Sequence, residues 1–116
     1  MEIEVGEYIR DKEGNITKII NILSLFKDVY LYLGEDGYQY SENAIIKHSK
    51  NIIDLIEVGD YVNGKRVIYV ASIENKDDEE ELCVFVEETQ DCIEAKDIKS
   101  IVTKEQFENL EYKVGE

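Results

Sequence analysis

A segment of seven residues occurs twice in this chain, 53 residues apart. Ile-Glu-Val-Gly-Glu-Tyr-Ile fills residues 3–9, and Ile-Glu-Val-Gly-Asp-Tyr-Val fills residues 56–62. The same offset sets residues 29–33 against residues 82–86, and it sets Glu35 against Glu88. This agreement over separate segments favours an internal duplication. The alternative is that β-rich sequences share such pieces because a Gly bend often begins a strand.

Both halves have the same predicted order of elements, namely two hairpins and a short helix. The first hairpin turns at residues 11–15 in one half and at Asn63-Gly64 in the other. Asn-Gly favours a type I′ turn because both residues tolerate positive φ. The second hairpin turns at residues 34–37 and, in the other half, at residues 87–90.

Capping residues predict where the two helices begin. Thr103 is followed three residues later by Gln106, which is the spacing of a capping box. Ser49 is the matching N-cap in the first half, with Ile52, Ile53 and Ile56 facing inward.

These elements predict a mainly β fold with short helices, in the α+β class. Strand pairs this short are not stable alone, so each half needs to curl into a small barrel or share a core. We expect two tandem SH3-sized units, residues 1–55 and 56–116, the second more acidic. We expect them to pack as one compact globule about a pseudo-twofold axis.

Charge excludes several classes of partner. The 116 residues contain 13 Lys and Arg against 27 Asp and Glu, which gives a net charge of -14. Direct binding of nucleic acid needs clustered cations, and anionic membranes repel such a chain. No apolar run approaches the roughly 20 residues of a membrane span, and the acidic N-terminus is unlike a signal peptide. We therefore expect a cytoplasmic protein.

The acidic residues are concentrated in the second half. Residues 1–55 contain 6 Lys and Arg against 10 Asp and Glu, a net charge of -4, whereas residues 56–116 contain 7 against 17, a net charge of -10. We interpret the densest acids as a surface that binds a basic protein and steers quickly onto a nucleic-acid-binding cleft. The alternative is a solubilising, mobile acidic loop. The predicted surface comprises Asp77, Asp78, Glu79, Glu80, Glu81, Glu87, Glu88, Asp91, Glu94 and Asp97.

Four tyrosines near the second hairpin of the first half form a second candidate contact. They are Tyr30, Tyr32, Tyr38 and Tyr40. Exposed on one face, they would offer an aromatic platform for a base, a nucleotide or a protein. Tyrosine is also an ordinary strand residue, and pairing of Leu33 with Tyr38 would divide the set between two faces. Any homodimer is expected to use this half, around Tyr30, Tyr32 and Tyr38.

No constellation predicts catalysis, a metal or a cofactor. Cys83 and Cys92 lack C-x-x-C spacing, so we expect two free thiols. His48 offers no recognisable zinc spacing or catalytic Cys/His pair. The turn at residues 11–15 lacks the acids of a calcium loop. We expect a protein that is not an enzyme.

Three stretches resemble a family of small uncharacterised acidic proteins encoded by phages and prophages of Gram-positive bacteria. They are VGEYIRDKEGNITKI, KHSKNIIDLIEVGDYVNGKRV and DIKSIVTKEQFENLEYKV. The resemblance implies a context, the cytoplasm of an infected host, and no site residues. Small phage proteins often bind a host factor, and blocking an antiviral nuclease is a frequent task.

Charge and resemblance together lead to one principal hypothesis. We expect an inhibitor that binds a basic host protein, foremost an antiviral nuclease such as a CRISPR effector, as a nucleic-acid mimic. One alternative is a sponge for a nucleotide signal of host immunity, with Arg10, Lys65 and Arg66 as its cations. Another is a structural module that assembles through exposed strands.

Overall fold

The computed structural model describes residues 2–74, 80–89 and 92–110. The chain divides into two compact units, residues 1–55 and 56–116. In the described residues, ten strands form two five-stranded antiparallel sheets, one in each unit. The fold is thus mainly β, as predicted, with one short α-helix among the described residues.

Unit 1 is a five-stranded sheet with strand order β4-β3-β2-β1-β5. Its strands are β1 (Tyr8–Asp11), β2 (Ile16–Phe26), β3 (Val29–Gly34), β4 (Gln39–Ser41) and β5 (Ile45–Ser49). A 3-10 turn at Glu42–Ala44 joins β4 to β5, and a second at Ile52–Leu55 ends the unit.

The core of unit 1 is a cluster of aliphatic and aromatic side chains from several strands. Alternation along β2 buries Thr17 and Ile19 and exposes Lys18 and Ile20, as a half-buried strand requires. The cluster consists of Ile3, Ile9, Ile19, Tyr32, Tyr40 and Ile45.

Unit 2 is a second five-stranded sheet with strand order β10-β6-β7-β8-β9. Its elements are β6 (Tyr61–Val62), β7 (Lys65–Glu74), β8 (Glu80–Val86), β9 (Cys92–Glu94), β10 (Ile101–Val102) and α1 (Lys104–Leu110). A 3-10 turn at Ala95–Asp97 follows β9. Its buried apolar side chains include Ile56, Val62, Val67, Cys83, Val84 and Val86.

Each strand of unit 1 has a counterpart at the same place in the sheet of unit 2, β1 with β6 through β5 with β10. The offset of 53 predicted for residues 29–33 and Glu35 is wrong by one residue, and the offset between β2 and β7 is smaller still. Backbone hydrogen bonds that match between the units set residue 19 against 67 and residue 35 against 87, offsets of 48 and 52. The first hairpin turn is shorter in unit 2, and this shortening shifts the second strand.

The predictions for the Asn63-Gly64 turn and the Thr103 cap are confirmed, and the prediction for the Ser49 cap is wrong. Asn63 and Gly64 have φ values of 52° and 82°, which confirms the type I′ turn. Thr103 and Gln106 form the predicted capping box, with N···O distances of 3.1 and 3.3 Å. Ser49, however, ends β5, and its Oγ accepts the Asn51 N–H at 3.1 Å, ahead of the 3-10 turn. Asn51 is the cap of the 3-10 turn, because its Oδ1 accepts the Ile53 N–H at 3.2 Å.

The two cysteines form a disulfide, so the prediction of free thiols is wrong. The register of β8 and β9 explains the pairing. Cys83 lies opposite Glu94 and Cys92 lies opposite Phe85, so the cysteines are diagonal neighbours with their Cα atoms 5.6 Å apart. That separation suits a disulfide. Motif spacing could not reveal it, because it follows from the pairing of two strands.

Candidate functional site

The repeated Val-Gly-acid segment is a structural turn in each unit. Gly6 and Gly59 have φ values of 97° and 98°, a conformation that residues with a side chain rarely adopt. The acid after each glycine folds back on the turn. Glu7 Oε2 accepts the Glu4 N–H at 2.6 Å, and Asp60 Oδ2 accepts the Glu57 N–H at 2.7 Å. The repeated motif thus sets the backbone geometry of a turn in each unit.

The second carboxylate oxygen of each turn acid reaches a different partner. In unit 1, Glu7 Oε1 lies 3.0 Å from His48 Nδ1. Burial acts to raise the pKa of Glu7, but hydrogen bonds from Glu4 N–H and His48, with the charges of His48 and Lys50, outweigh it and lower the pKa. His48 is therefore a partner of the turn acid, and Cys83 and Cys92, both in the disulfide, offer it no thiol.

In unit 2, the turn acid reaches the first residue of α1. Asp60 Oδ1 accepts the Lys104 N–H at 2.9 Å, and Lys104 Nζ lies 2.8 Å from Glu57 Oε1. The Glu57 carboxylate raises the pKa of Lys104, although burial opposes this. Sequence reasoning missed these contacts. The acid at the same place in both repeats, Glu7 and Asp60, was the available signal.

A polar groove of about 640 Å³ in unit 1 lies between the first turn and the β3–β4 loop. Two of its carboxylates, those of Asp11 and Asp36, accept hydrogen bonds within the turns. Asp11 Oδ1 accepts the N–H groups of Glu13 and Asn15 at 2.9 and 2.8 Å, and Asp36 accepts from Tyr38 N–H and from the Tyr40 hydroxyl. Across the described part of the chain, no three His, Cys, Asp or Glu side chains gather as a metal ion needs. The groove is therefore a polar surface whose Asp11 and Asp36 carboxylates already accept hydrogen bonds from the turns.

The four tyrosines do not form one exposed platform. Tyr32 pairs with Tyr40 across β3 and β4, and both are buried in the core of unit 1. Leu33 lies opposite Gln39, so the register assumed for this hairpin was wrong by one residue. Tyr30 and Tyr38 are exposed. A partner can reach these two, but it cannot reach Tyr32 or Tyr40 in the folded unit.

The acids of unit 2 divide into described and undescribed groups. Glu87 and Glu88 are exposed in the loop after β8, and Asp97 is exposed in the turn after β9. Glu94 is half-buried on β9 and pairs with Lys96 at 3.2 Å. Glu80 and Glu81 begin β8. The remaining predicted acids, Asp77, Asp78, Glu79 and Asp91, lie outside the described residues. The structure thus sets Glu87, Glu88 and Asp97 beside an edge strand.

The three candidate cations have different surroundings. Arg10 is fully buried in unit 1, where its Nη1 donates to the Leu55 carbonyl at 2.9 Å. Lys65 and Arg66 are exposed at the start of β7. Arg10 therefore stabilises the end of unit 1 instead of facing a ligand.

Comparison with known proteins gives no match, either among family models, among curated proteins or among solved structures. Within the described residues, no helix combines the length and apolar character needed to span a membrane.

Proposed function

We propose that this protein is a non-enzymatic inhibitor that binds a basic protein through the acidic face of unit 2. The observation that carries the proposal is the charge of that unit, 7 Lys and Arg against 17 Asp and Glu. Exposed Glu87, Glu88 and Asp97 flank β9, which is an edge strand of its sheet. Carboxylates beside a strand edge attract a cationic cleft and also discourage pairing with another acidic strand.

The partner we propose is a host enzyme that handles nucleic acid, foremost an antiviral nuclease such as a CRISPR effector. The cleft of such an enzyme is basic because it neutralises phosphates. An acidic protein in that cleft acts as a nucleic-acid mimic and keeps the substrate out. The resemblance to phage and prophage proteins supports this anti-defence role and a location in the host cytoplasm.

The nucleotide sponge is the weaker alternative. A sponge needs several cations that converge on a phosphate, and Arg10 was one of only three candidates. The burial of Arg10 and its hydrogen bond to Leu55 O remove it from that set. Lys65 and Arg66 remain as exposed cations on neighbouring positions of β7.

Competition on a purified partner tests the proposed function. Affinity enrichment from host lysate followed by mass spectrometry supplies the candidate nuclease. We expect the protein to exclude nucleic acid from that nuclease and to leave its folded state intact. Simultaneous binding of protein and nucleic acid would contradict the mimic, and calorimetric binding of a nucleotide by this protein would favour the sponge.

We further propose that the two units arose by duplication. The equivalent strand orders, the matching φ values of Gly6 and Gly59, and the matching hydrogen bonds of Glu7 and Asp60 support this origin. The acids of residues 77–81 would then be a later addition to one copy, which concentrates the proposed binding role in unit 2.

A further inference from the structure

Strand β2 of unit 1 has a long backbone edge that no described strand covers. Pairing of β2 with β1 involves Ile16, Thr17 and Lys18, and the last backbone hydrogen bonds on that side are those of Ile19. From there to Phe26, β2 pairs only with β3 among the described residues. The Ile22 N–H donates to the Asn21 side-chain oxygen at 2.9 Å.

This edge is also apolar and uncharged. Residues 19–26 read Ile-Ile-Asn-Ile-Leu-Ser-Leu-Phe, with no charged residue in a chain that is 34% charged. Ile20, Leu25 and Phe26 are 51%, 52% and 76% exposed. The β2–β3 ladder shifts register at Ile20 and at Leu25, which bends the strand. A long, apolar, uncharged edge without Pro or Gly nevertheless offers a template for pairing with another strand.

The sequence of the corresponding hairpin of unit 2 is more acidic, although residues 67–73 of β7 are uncharged as well. Strand β7 also extends beyond its pairing with β6, which ends at Arg66. The sequence between β7 and β8 contains Asp77, Asp78 and Glu79, and β8 begins with Glu80 and Glu81. Charged residues at a strand edge prevent edge-to-edge association. Unit 1 has only Lys27 and Asp28 at the same hairpin end.

We propose that residues 20–26 of β2 pair antiparallel with the same residues of a second copy, forming a symmetric homodimer. The partner we propose is a second copy, because the segment carries no charge. Two molecules of net charge -14 can therefore pair there without placing acidic side chains opposite each other. A twofold axis at Leu23 sets Ile20 opposite Phe26 of the second copy, so these two exposed side chains each gain an apolar neighbour, whereas Leu25 lies opposite Asn21. This interface differs from the one expected around Tyr30, Tyr32 and Tyr38, of which Tyr32 is buried and the other two are exposed.

The response to salt distinguishes this dimer from binding through the acidic face of unit 2. Salt weakens the mutual repulsion of two acidic molecules, so dimerisation should strengthen as salt rises. Binding to a basic partner should weaken under the same change. The proposal does not depend on the proposed inhibitory function, and either can fail alone.

Sedimentation equilibrium of the full chain, up to its solubility limit, tests the dimer. We expect a concentration-dependent dimer, and Ile20→Lys or Phe26→Glu should raise its dissociation constant by about tenfold or more, since each lost cross-strand pair counts twice. Tyr38→Lys is the matched control, because Tyr38 is exposed in unit 1 but lies outside β2. A strict monomer, or a dimer that Tyr38→Lys weakens as much as Phe26→Glu does, would overturn the proposal.

Mixing the two charged variants tests the register. Ile20→Lys and Phe26→Glu should each be mostly monomeric. Their mixture should form a heterodimer, because the introduced lysine of one chain would face the introduced glutamate of the other. Hydrogen exchange of the wild-type protein provides a readout that needs no variant. Amides of residues 22–26 should become more protected as concentration rises. No association in the mixture, or protection that is independent of concentration, would refute the pairing.

Discussion

Asp60 Oδ1 accepts the backbone N–H of Lys104 at 2.9 Å, so a turn at the start of unit 2 is tied directly to the start of α1. The other oxygen of the same carboxylate accepts the Glu57 N–H at 2.7 Å. Asp60 is fully buried, and its charge lies at the helix end where backbone N–H groups favour an anion. The Asp60 carboxylate thus accepts from two backbone donors, Glu57 N–H and Lys104 N–H, that are far apart in the sequence of the unit.

Replacing Asp60 with Asn should therefore destabilise unit 2. An amide retains one acceptor oxygen but presents a donor to the second N–H, and loss of a charge-assisted hydrogen bond costs about 2 kcal/mol. Urea unfolding should show this loss. Asp28→Asn is the control, because Asp28 is exposed in a turn whose positive φ Asn tolerates. Equal stability of the two variants would contradict the assigned role.

Loss of the Thr103 cap should destabilise unit 2 less than loss of the Asp60 carboxylate, and the effect should be confined to the start of α1. Thr103→Ala removes the hydroxyl that accepts the Gln106 N–H at 3.3 Å and should cost about 1 kcal/mol. Thr103→Ser keeps the hydroxyl and should recover most of that loss. Hydrogen exchange of the Gln106 amide measures the effect at its source, and unchanged exchange in Thr103→Ala would show that the cap contributes nothing.

Short sequence patterns predicted the turn and the helix cap correctly, because the interactions that form them involve residues only a few positions apart. The Asn63-Gly64 turn and the Thr103 cap needed no knowledge of the rest of the chain. The register of β3 and β4 was missed because it depends on where the turn after Gly34 closes, and a shift of one residue exchanges the two faces. The same limit explains why the predicted alignment of residues 29–33 with 82–86 is wrong by one residue.

Contacts between residues far apart in the sequence could not be predicted for a different reason. Glu7 and His48 are 41 residues apart, and only the pairing of β1 with β5 brings Ile9 opposite His48 and sets the two side chains together. Cys83 and Cys92 likewise meet through the register of β8 and β9. For the candidate surface, the sequence located the acids by composition, and the structure added that Glu87, Glu88 and Asp97 flank an edge strand.

Glu7 predicts a pH dependence of stability in unit 1. The fold lowers the pKa of Glu7 below its ordinary value of 4.5, so the folded state binds its proton less readily than the unfolded state does. This contribution is present above pH 4.5 and is lost as pH falls through the lower folded pKa. Glu7→Gln should therefore reduce stability at neutral pH, and the difference from wild type should shrink in acid. Urea titrations at several pH values measure it, and a difference that is constant with pH would contradict the assignment.

The acidic face predicts which half of the chain controls association with a basic partner. Charge reversal of Glu87, Glu88 and Asp97 should weaken binding more than reversal of Glu2, Glu13 and Glu35, which are equally exposed acids of unit 1. The folded state should tolerate both sets because exposed substitutions usually cost little. Since the Debye length is about 10 Å at 0.1 M salt, added salt should mainly slow association and alter dissociation less. Surface plasmon resonance on the purified partner separates the two rates. Equal effects of the two triple variants, together with rates that salt leaves unchanged, would show that the acids of unit 2 only solvate the protein.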